Sequence, residues 1–248
     1  MKFEDHFSTQ SRQYAQFRPQ YPDAIYAYFA SIVPGHVLAW DCGTGNGQAA
    51  VGLAQHFERV YATDASADQI AHAYLHPNVE YHVESAEEVG LESASVDLVT
   101  VAQAVHWFDF DKFYAEVKRV LKPGGIVAVW TYHLPEISPL TDKALFRYYH
   151  EILDTFWSER IDYLEARYQT LPFPFEEISP PSFAMETRWD LGQLTGFIDS
   201  WSATQKYREQ NGSHPLEEIW GELSDDWKDE KEKRLIRWPL HFRIGRRT

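Results

Sequence analysis

Residues 37–48 read VLAWDCGTGNGQ and residues 59–64 read RVYATD, which is the order of a strand, a glycine loop, a helix and a second strand. Val37 to Trp40 are apolar enough for a parallel strand covered on both faces. Gly43, Gly45 and Gly47 let the backbone turn sharply and approach a ligand without Cβ interference. The helix that follows, from about Gln48 to His56, aims its N-terminal amides at the same point. Asp64 ends the second strand, where an ionised carboxylate accepts from both hydroxyls of a ribose. The unit therefore reads as a pocket for an adenosine-containing cofactor.

The glycine spacing has two readings. Taken from Gly45, with Ala50 as the closing small residue, it fits a dinucleotide loop and permits a nicotinamide or flavin. Taken from Gly43 it is D-x-G-x-G-x-G, with Asp41 two residues ahead. A carboxylate there repels a pyrophosphate but pairs with the ammonium of an amino acid. This favours S-adenosylmethionine, which carries an α-ammonium and a sulfonium and no phosphate.

Composition narrows the partners. The 248 residues, 44% of them hydrophobic, suffice for one large core with elaborations. A formal net charge of -14 argues against nucleic acid or an anionic membrane as the main partner. The single cysteine, Cys42, excludes a disulfide framework, and no apolar run approaches a membrane span. With no signal pattern in MKFEDHFSTQ, a cytoplasmic protein is expected.

Strand-like and helix-like segments alternate past Asp64, the pattern of a doubly wound parallel α/β sheet. A helix is expected over Ala67 to Leu75, a third strand at NVEYHVE, a fourth over Ser95 to Ala102, an amphipathic helix from about Asp111 to Leu121, and a fifth strand at IVAVWTY. Residues 136–180 are rich in aromatic and charged side chains and close on LPFPFEEISPP, whose prolines block helix. They read as a helical cap inserted over a core formed by residues 1–135 and 181–248. A strand over Phe183 to Trp189, helices over Leu191 to Lys206 and Pro215 to Trp227, and an antiparallel strand over Arg234 to Arg243 complete the expectation. The run DDWKDEKEKR at 225–234 reads as a solvated helix end.

YAQFRPQYP at 14–22, WDCGTGNGQ at 40–48, ESAEEVGL at 84–91, VDLVTVAQAVHWFD at 96–109, RVLKPGG at 119–125 and the tail stretches DSWSATQKY and RWPLHFRIGR cover nearly the whole chain. In these stretches the sequence resembles the class I S-adenosylmethionine-dependent methyltransferases of type 11, and within them the subgroup similar to yeast-type trans-aconitate methyltransferases. The resemblance implies a seven-stranded Rossmann-like sheet with an antiparallel last strand. It places Asp41, Gly43 and Gly45 against the methionine part of the cofactor, Asp64 with Ala65 against the ribose, and Ser85, Ala86 and Glu87 at the adenine edge. Gln103 and Ala104 would face the methionine moiety, with His106 and Trp107 near the reactive methyl. It also implies a carboxylate as methyl acceptor. Many relatives have Asp where this chain has Ser85.

Tyr14 and Arg18 share a helix face ahead of Pro19 and Pro22, and Arg18 is suited to grip a carboxylate of cofactor or substrate with its planar fork. Arg237 is a weaker candidate. A carboxylate acceptor is already ionised near neutral pH and needs no base, whereas a phenol or alcohol would recruit His106 as base. His72, His76 and His82 have near-metal spacing but lack a completing Glu or Cys, so no metal is expected. An NAD(P)-dependent oxidoreductase and a non-catalytic cofactor-binding protein remain as alternatives. The expected partner is a small molecule.

Overall fold

The computed structural model describes residues 19–248. Five parallel strands come first: β1 (Leu38–Cys42), β2 (Arg59–Asp64), β3 (Val79–Val83), β4 (Val96–Ala102) and β5 (Leu121–Thr131). Two short strands, β6 (Glu176–Glu177) and β7 (Phe183–Trp189), precede the long β8 (Arg234–Arg246). The sheet order is β3-β2-β1-β4-β5-β8-β6, and β7 pairs with β8 off that path. Strands β1 to β5 are parallel to their neighbours and β8 is antiparallel to β5. This is the expected doubly wound sheet with its reversed last strand.

β8 serves three partners, meeting β6 at Gly245 and Arg246. Its residues 241–246 face β5, while 234–240 form a ribbon with β7 that extends beyond the sheet. Its side chains alternate as expected, with Ile236, Trp238 and Leu240 buried and Leu235 exposed. Arg237 pairs on the surface with Glu136 (2.7 Å) and Glu186 (3.5 Å), which occupies the guanidinium.

Successive side chains of a strand point to opposite faces, so the central strands feed two cores. Ala39, Leu98, Ala128 and Trp130 join helices α1 (Asp23–Ile32) and α2 (Gln48–Leu53) on one face. Trp40, Val99, Val127 and Val129 meet Phe113, Tyr114 and Val117 of α4 (Phe110–Val120) on the other, with α3 (Ala67–Ala71) between β2 and β3. Asp97 ties three strands together at their beginnings. Its carboxylate accepts from the amides of Val37 and Leu38 at 3.0 Å and from Lys122 at 2.7 Å.

Residues 136–180 are helical only in part: α5 (Pro139–Arg147), a π turn over Tyr148–Ile152, single 3-10 turns and the short α6 (Asp162–Glu165). The segment is woven into both cores, since Tyr148 and Leu153 are buried on one face and Tyr168 and Leu171 on the other. Its last residues supply β6. Arg243 pins that stretch, bonding Glu177 bidentately at 2.7 and 2.8 Å and donating to the carbonyls of Tyr168 and Leu171.

Several expected helices are corrected. Leu191 to Lys206 is two helices, α7 (Leu191–Asp199) with an Asp190/Gln193 capping box and α8 (Ser202–Asn211), because the chain breaks where Trp201 turns inward. Pro215–Glu218 is a 3-10 turn ahead of α9 (Trp220–Trp227), and the helix after Ser66 stops at Ala71. The charged run at 225–234 is not simply solvated. Asp226 accepts from Ser138, Thr141 and Arg234, closing the ends of α5 and α9 together.

Candidate functional site

In this strand order β1 runs to β2 on one side and to β4 on the other, so the topological switch point lies between β1 and β4. Connections leave the carboxyl ends of these strands in opposite directions and open a crevice there. The residues at that rim are Gly43 after β1, Asp64 at the end of β2, Gln103 and Ala104 after β4, and Tyr132 after β5.

The glycine loop has the backbone that its composition implies. Gly43 and Gly47 have φ of 66° and 84°, in the region that side chains with a Cβ rarely adopt. A Cβ on Gly43 would stand 2.6 Å from the Cβ of Ala104, and one on Gly47 would collide with the Tyr81 ring. Close packing between the first loop and the loop after β4 therefore requires Gly43.

The carboxylates are already engaged. Asp64 accepts from the amides of Gly45 (2.9 Å) and Ser66 (2.8 Å), so one side chain sets the height of the glycine loop above β2. Ala65 beside it is exposed. Asp41 stands behind the loop rather than on its surface. It is fully buried, with Thr44 and Thr100 hydroxyls donating to its two oxygens at 2.6 and 2.7 Å. Burial pushes its pKa up to about 6 despite those two hydrogen bonds, and the nearby Asp64 adds to the rise. Among the described residues no lysine or arginine neutralises it, so the loop sits over negative charge, which suits a cationic ligand and opposes a pyrophosphate.

Ser85 is exposed, Ala86 buried and Glu87 half-buried at the end of β3. Ser85 donates to Glu87 at 2.9 Å, and Glu87 accepts from the amide of Asp109, the residue that caps α4. The expected adenine-edge residues thus form one braced turn. Gln103 has a φ of 55° although it carries a side chain, a conformation held by Thr131 donating to its Oε1 and by its Nε2 donating to the Tyr132 carbonyl at 3.0 Å. This turn carries the glycine side of the crevice over to the end of β5.

His106 lies in the 3-10 turn Val105–Trp107 and is 4% exposed. Its Nδ1 is 2.8 Å from the hydroxyl of Tyr168, and Trp107 packs on the ring. Burial, with Arg160 nearby, lowers its pKa to about 3. Arg160 itself donates to the carbonyls of His106 and Phe108, which fastens the 136–180 segment onto this turn. Tyr168, Arg160 and Arg243 have no local sequence signal and were not among the expected residues. Tyr14 and Arg18 lie outside the described residues. His72 bonds the Asp68 carbonyl and His82 stacks on Tyr61, so the spaced histidines do not converge.

The arrangement fits S-adenosylmethionine through three features: a loop with glycine at alternate positions, a carboxylate at the end of β2, and negative charge behind the loop that no cation among the described residues neutralises. The methyltransferase domain family matches residues 40–129, the stretch from β1 through β5. A Dictyostelium discoideum protein named as a methyltransferase is 35% identical over 226 residues, covering 88% of this chain and 84% of the relative. A Saccharomyces cerevisiae protein named as an S-adenosylmethionine-dependent methyltransferase is 24% identical over 243 residues, covering 83% of each chain. Among solved structures, one described as a type II methyltransferase from Anaeromyxobacter dehalogenans superposes with a TM-score of 0.87 at 42% identity, covering 93% of this chain and 98% of that one.

Proposed function

Since this chain belongs to the S-adenosylmethionine-dependent methyltransferases, we propose that it transfers the methyl group to a carboxylate oxygen of a small molecule without a general base. The observation that carries this reading is the state of His106. A buried imidazole with a pKa of about 3 is a weak base. Such a ring is a far weaker base than a free imidazole, which makes it a poor acceptor for a phenolic proton. A carboxylic acid, with a reference pKa near 4, is ionised without help. When bound, S-adenosylmethionine supplies a methyl on a sulfonium, and transfer to a carboxylate forms a C–O bond as the C–S bond breaks, with no proton to remove.

The protein's task is then to align the acceptor and exclude water. In this reading the Asp64 carboxylate takes the ribose hydroxyls, Gly43, Gly45, Gln103 and Ala104 border the methionine part, and the turn at 85–87 borders the adenine. His106 acts as a positioning residue that seats Tyr168, and residues 136–180 cover the acceptor side. A panel of small carboxylic acids and phenols, incubated with the protein and S-adenosylmethionine, tests the proposal by product mass and alkali treatment. Alkali-labile methyl esters are expected. Alkali-stable methyl ethers formed at the higher kcat/KM would refute it.

A further inference from the structure

The end of β5 carries buried polar atoms that lack hydrogen bonds. His133 follows Tyr132, whose carbonyl is bonded by Gln103, so it lies two residues along the chain from the strand end at the crevice. Its ring makes an edge-on contact with Tyr149 at 4.6 Å and lies 6.0 Å from His150, both in the π turn after α5. The Nε2 of His133 and the hydroxyl of Tyr149 are both buried and both without a hydrogen-bond partner. Tyr149 as a whole is 4% exposed. Buried polar atoms without partners are costly in a folded protein, and each one calls for an explanation such as a bound ligand.

The same corner holds a fixed positive charge. Arg167 faces both His133 and His241, the β8 residue opposite Thr131 in the sheet. Its guanidinium forms no ion pair among the described residues. Arg167 and Tyr168 have φ of 52° and 60°, two consecutive side-chain-bearing residues in the left-handed region. Such strain persists only where the surroundings impose it. Here burial of Tyr168 and the Arg243 bond to its carbonyl fix the turn, and the turn leaves Arg167 at the rim. The acidic groups near the cluster are Glu165 and Asp162, which act on Tyr149, and Glu136, which acts on His241. Glu165 pairs with His150 and Glu136 with Arg237, which leaves Arg167 as the charge without an ion pair among the described residues.

We propose that His133, Tyr149, Arg167 and His241 form the subsite that recognises the carboxylate of the methyl acceptor. The assignment rests on the methyl-transfer reading above. Tyr149 and the imidazoles are hydrogen-bond donors and Arg167 a fixed charge, a set that matches a small carboxylate and repels a cation. Burial and the surrounding positive charge hold the His133 pKa down to about 4 in the free protein, so the ring is neutral at pH 7. An entering carboxylate opposes those causes and raises it. Binding is therefore linked to proton uptake, and affinity falls as pH rises.

The test is calorimetric titration of citrate and of benzoate into the full-length protein saturated with S-adenosylhomocysteine, at pH 6.5, in two buffers of different ionisation enthalpy. We expect binding with net proton uptake, at least tenfold weaker binding in Arg167→Gln, partial recovery in Arg167→Lys, and several-fold weaker binding in Tyr149→Phe. S-Adenosylhomocysteine affinity should be unchanged in all three. Parental carboxylate affinity in both Arg167→Gln and Tyr149→Phe would overturn the subsite, as would no carboxylate binding by the parent. If carboxylates bind this subsite and are not methylated, the subsite stands and the carboxylate-transfer reading fails. If they are methylated with parental kcat/KM in Arg167→Gln and Tyr149→Phe, the reaction stands and the subsite fails.

Discussion

The two sides of the crevice are built by opposite strategies. On the glycine side every carboxylate is satisfied internally, with Asp64 bonded to Gly45 and Ser66, and Asp41 to Thr44 and Thr100. On the side proposed for the acceptor, His133 and Tyr149 keep buried polar atoms unsatisfied, next to Arg167, which forms no ion pair among the described residues. The first side is a cradle formed before the ligand arrives, so its affinity is spent little on reorganisation. The second depends on the ligand for its bonding, so it discriminates: a ligand that lacks the matching acceptor leaves donors unpaired.

The largest expected effect is on the cradle. Asp64→Ala removes the charge-assisted acceptor for the ribose and the tether of the glycine loop together. It should weaken S-adenosylmethionine binding by about 2–3 kcal/mol, roughly 30- to 150-fold. Calorimetry on folded variant and parent checks this, and the Kd of citrate in the presence of saturating S-adenosylhomocysteine should not move. Were both ligands weakened alike, the division into two independent sides would not hold.

An intermediate effect is expected where the 136–180 segment meets the turn after β4. Tyr168→Phe leaves the Nδ1 of His106 without its partner in a dry site, at a cost of about 1–3 kcal/mol in stability. Urea unfolding measures it. S-Adenosylmethionine affinity should hold within about twofold while kcat falls, because the turn bearing His106 and Trp107 loses its brace. Unchanged kcat with reduced stability would make this contact purely structural.

The legibility of the molecule follows the same division. The glycine loop, Asp64 and the strands at 96–102 and 183–189 could be read within a residue or so, because their chemistry is carried by neighbours in sequence: apolar runs, glycines and a strand-end acid. The acceptor side could not. His106 and Tyr168 are 62 residues apart, Arg243 and Tyr168 are 75 apart, and Ser138 and Asp226 are 88 apart. No periodicity announces such pairs. Asp226 looked solvated because its charged neighbours are, and only the hydroxyls of Ser138 and Thr141 reveal it as an anchor. The one available hint was the density of aromatic and charged side chains in residues 136–180, which read as a cap; part of that density packs around the His133 corner.

A smaller effect sharpens the cradle's electrostatics. The pKa of Asp41 is raised above its unfolded value, so its ionisation costs the fold stability as pH rises from about 4 to 6. At pH 7 that cost is on the order of 1–3 kcal/mol. Asp41→Asn should therefore raise the unfolding midpoint at pH 7 while weakening S-adenosylmethionine binding several-fold. In the parent, affinity for this cationic ligand should fall as pH drops from 6.5 to 5, as Asp41 takes up its proton, and the variant should lose that dependence. A variant less stable than the parent at pH 7, with the dependence retained, would mean that another group titrates.

Base-free transfer to an ionised acceptor is tested most directly by the pH dependence of a single turnover, with both substrates saturating, between pH 6 and 8.5. Saturation removes pH-dependent binding from the measured rate. The account predicts a rate flat within about twofold, in the parent and in His106→Gln alike. A rate rising about tenfold per pH unit, with that rise lost in His106→Gln, would show that a proton is removed in the chemical step and would contradict it.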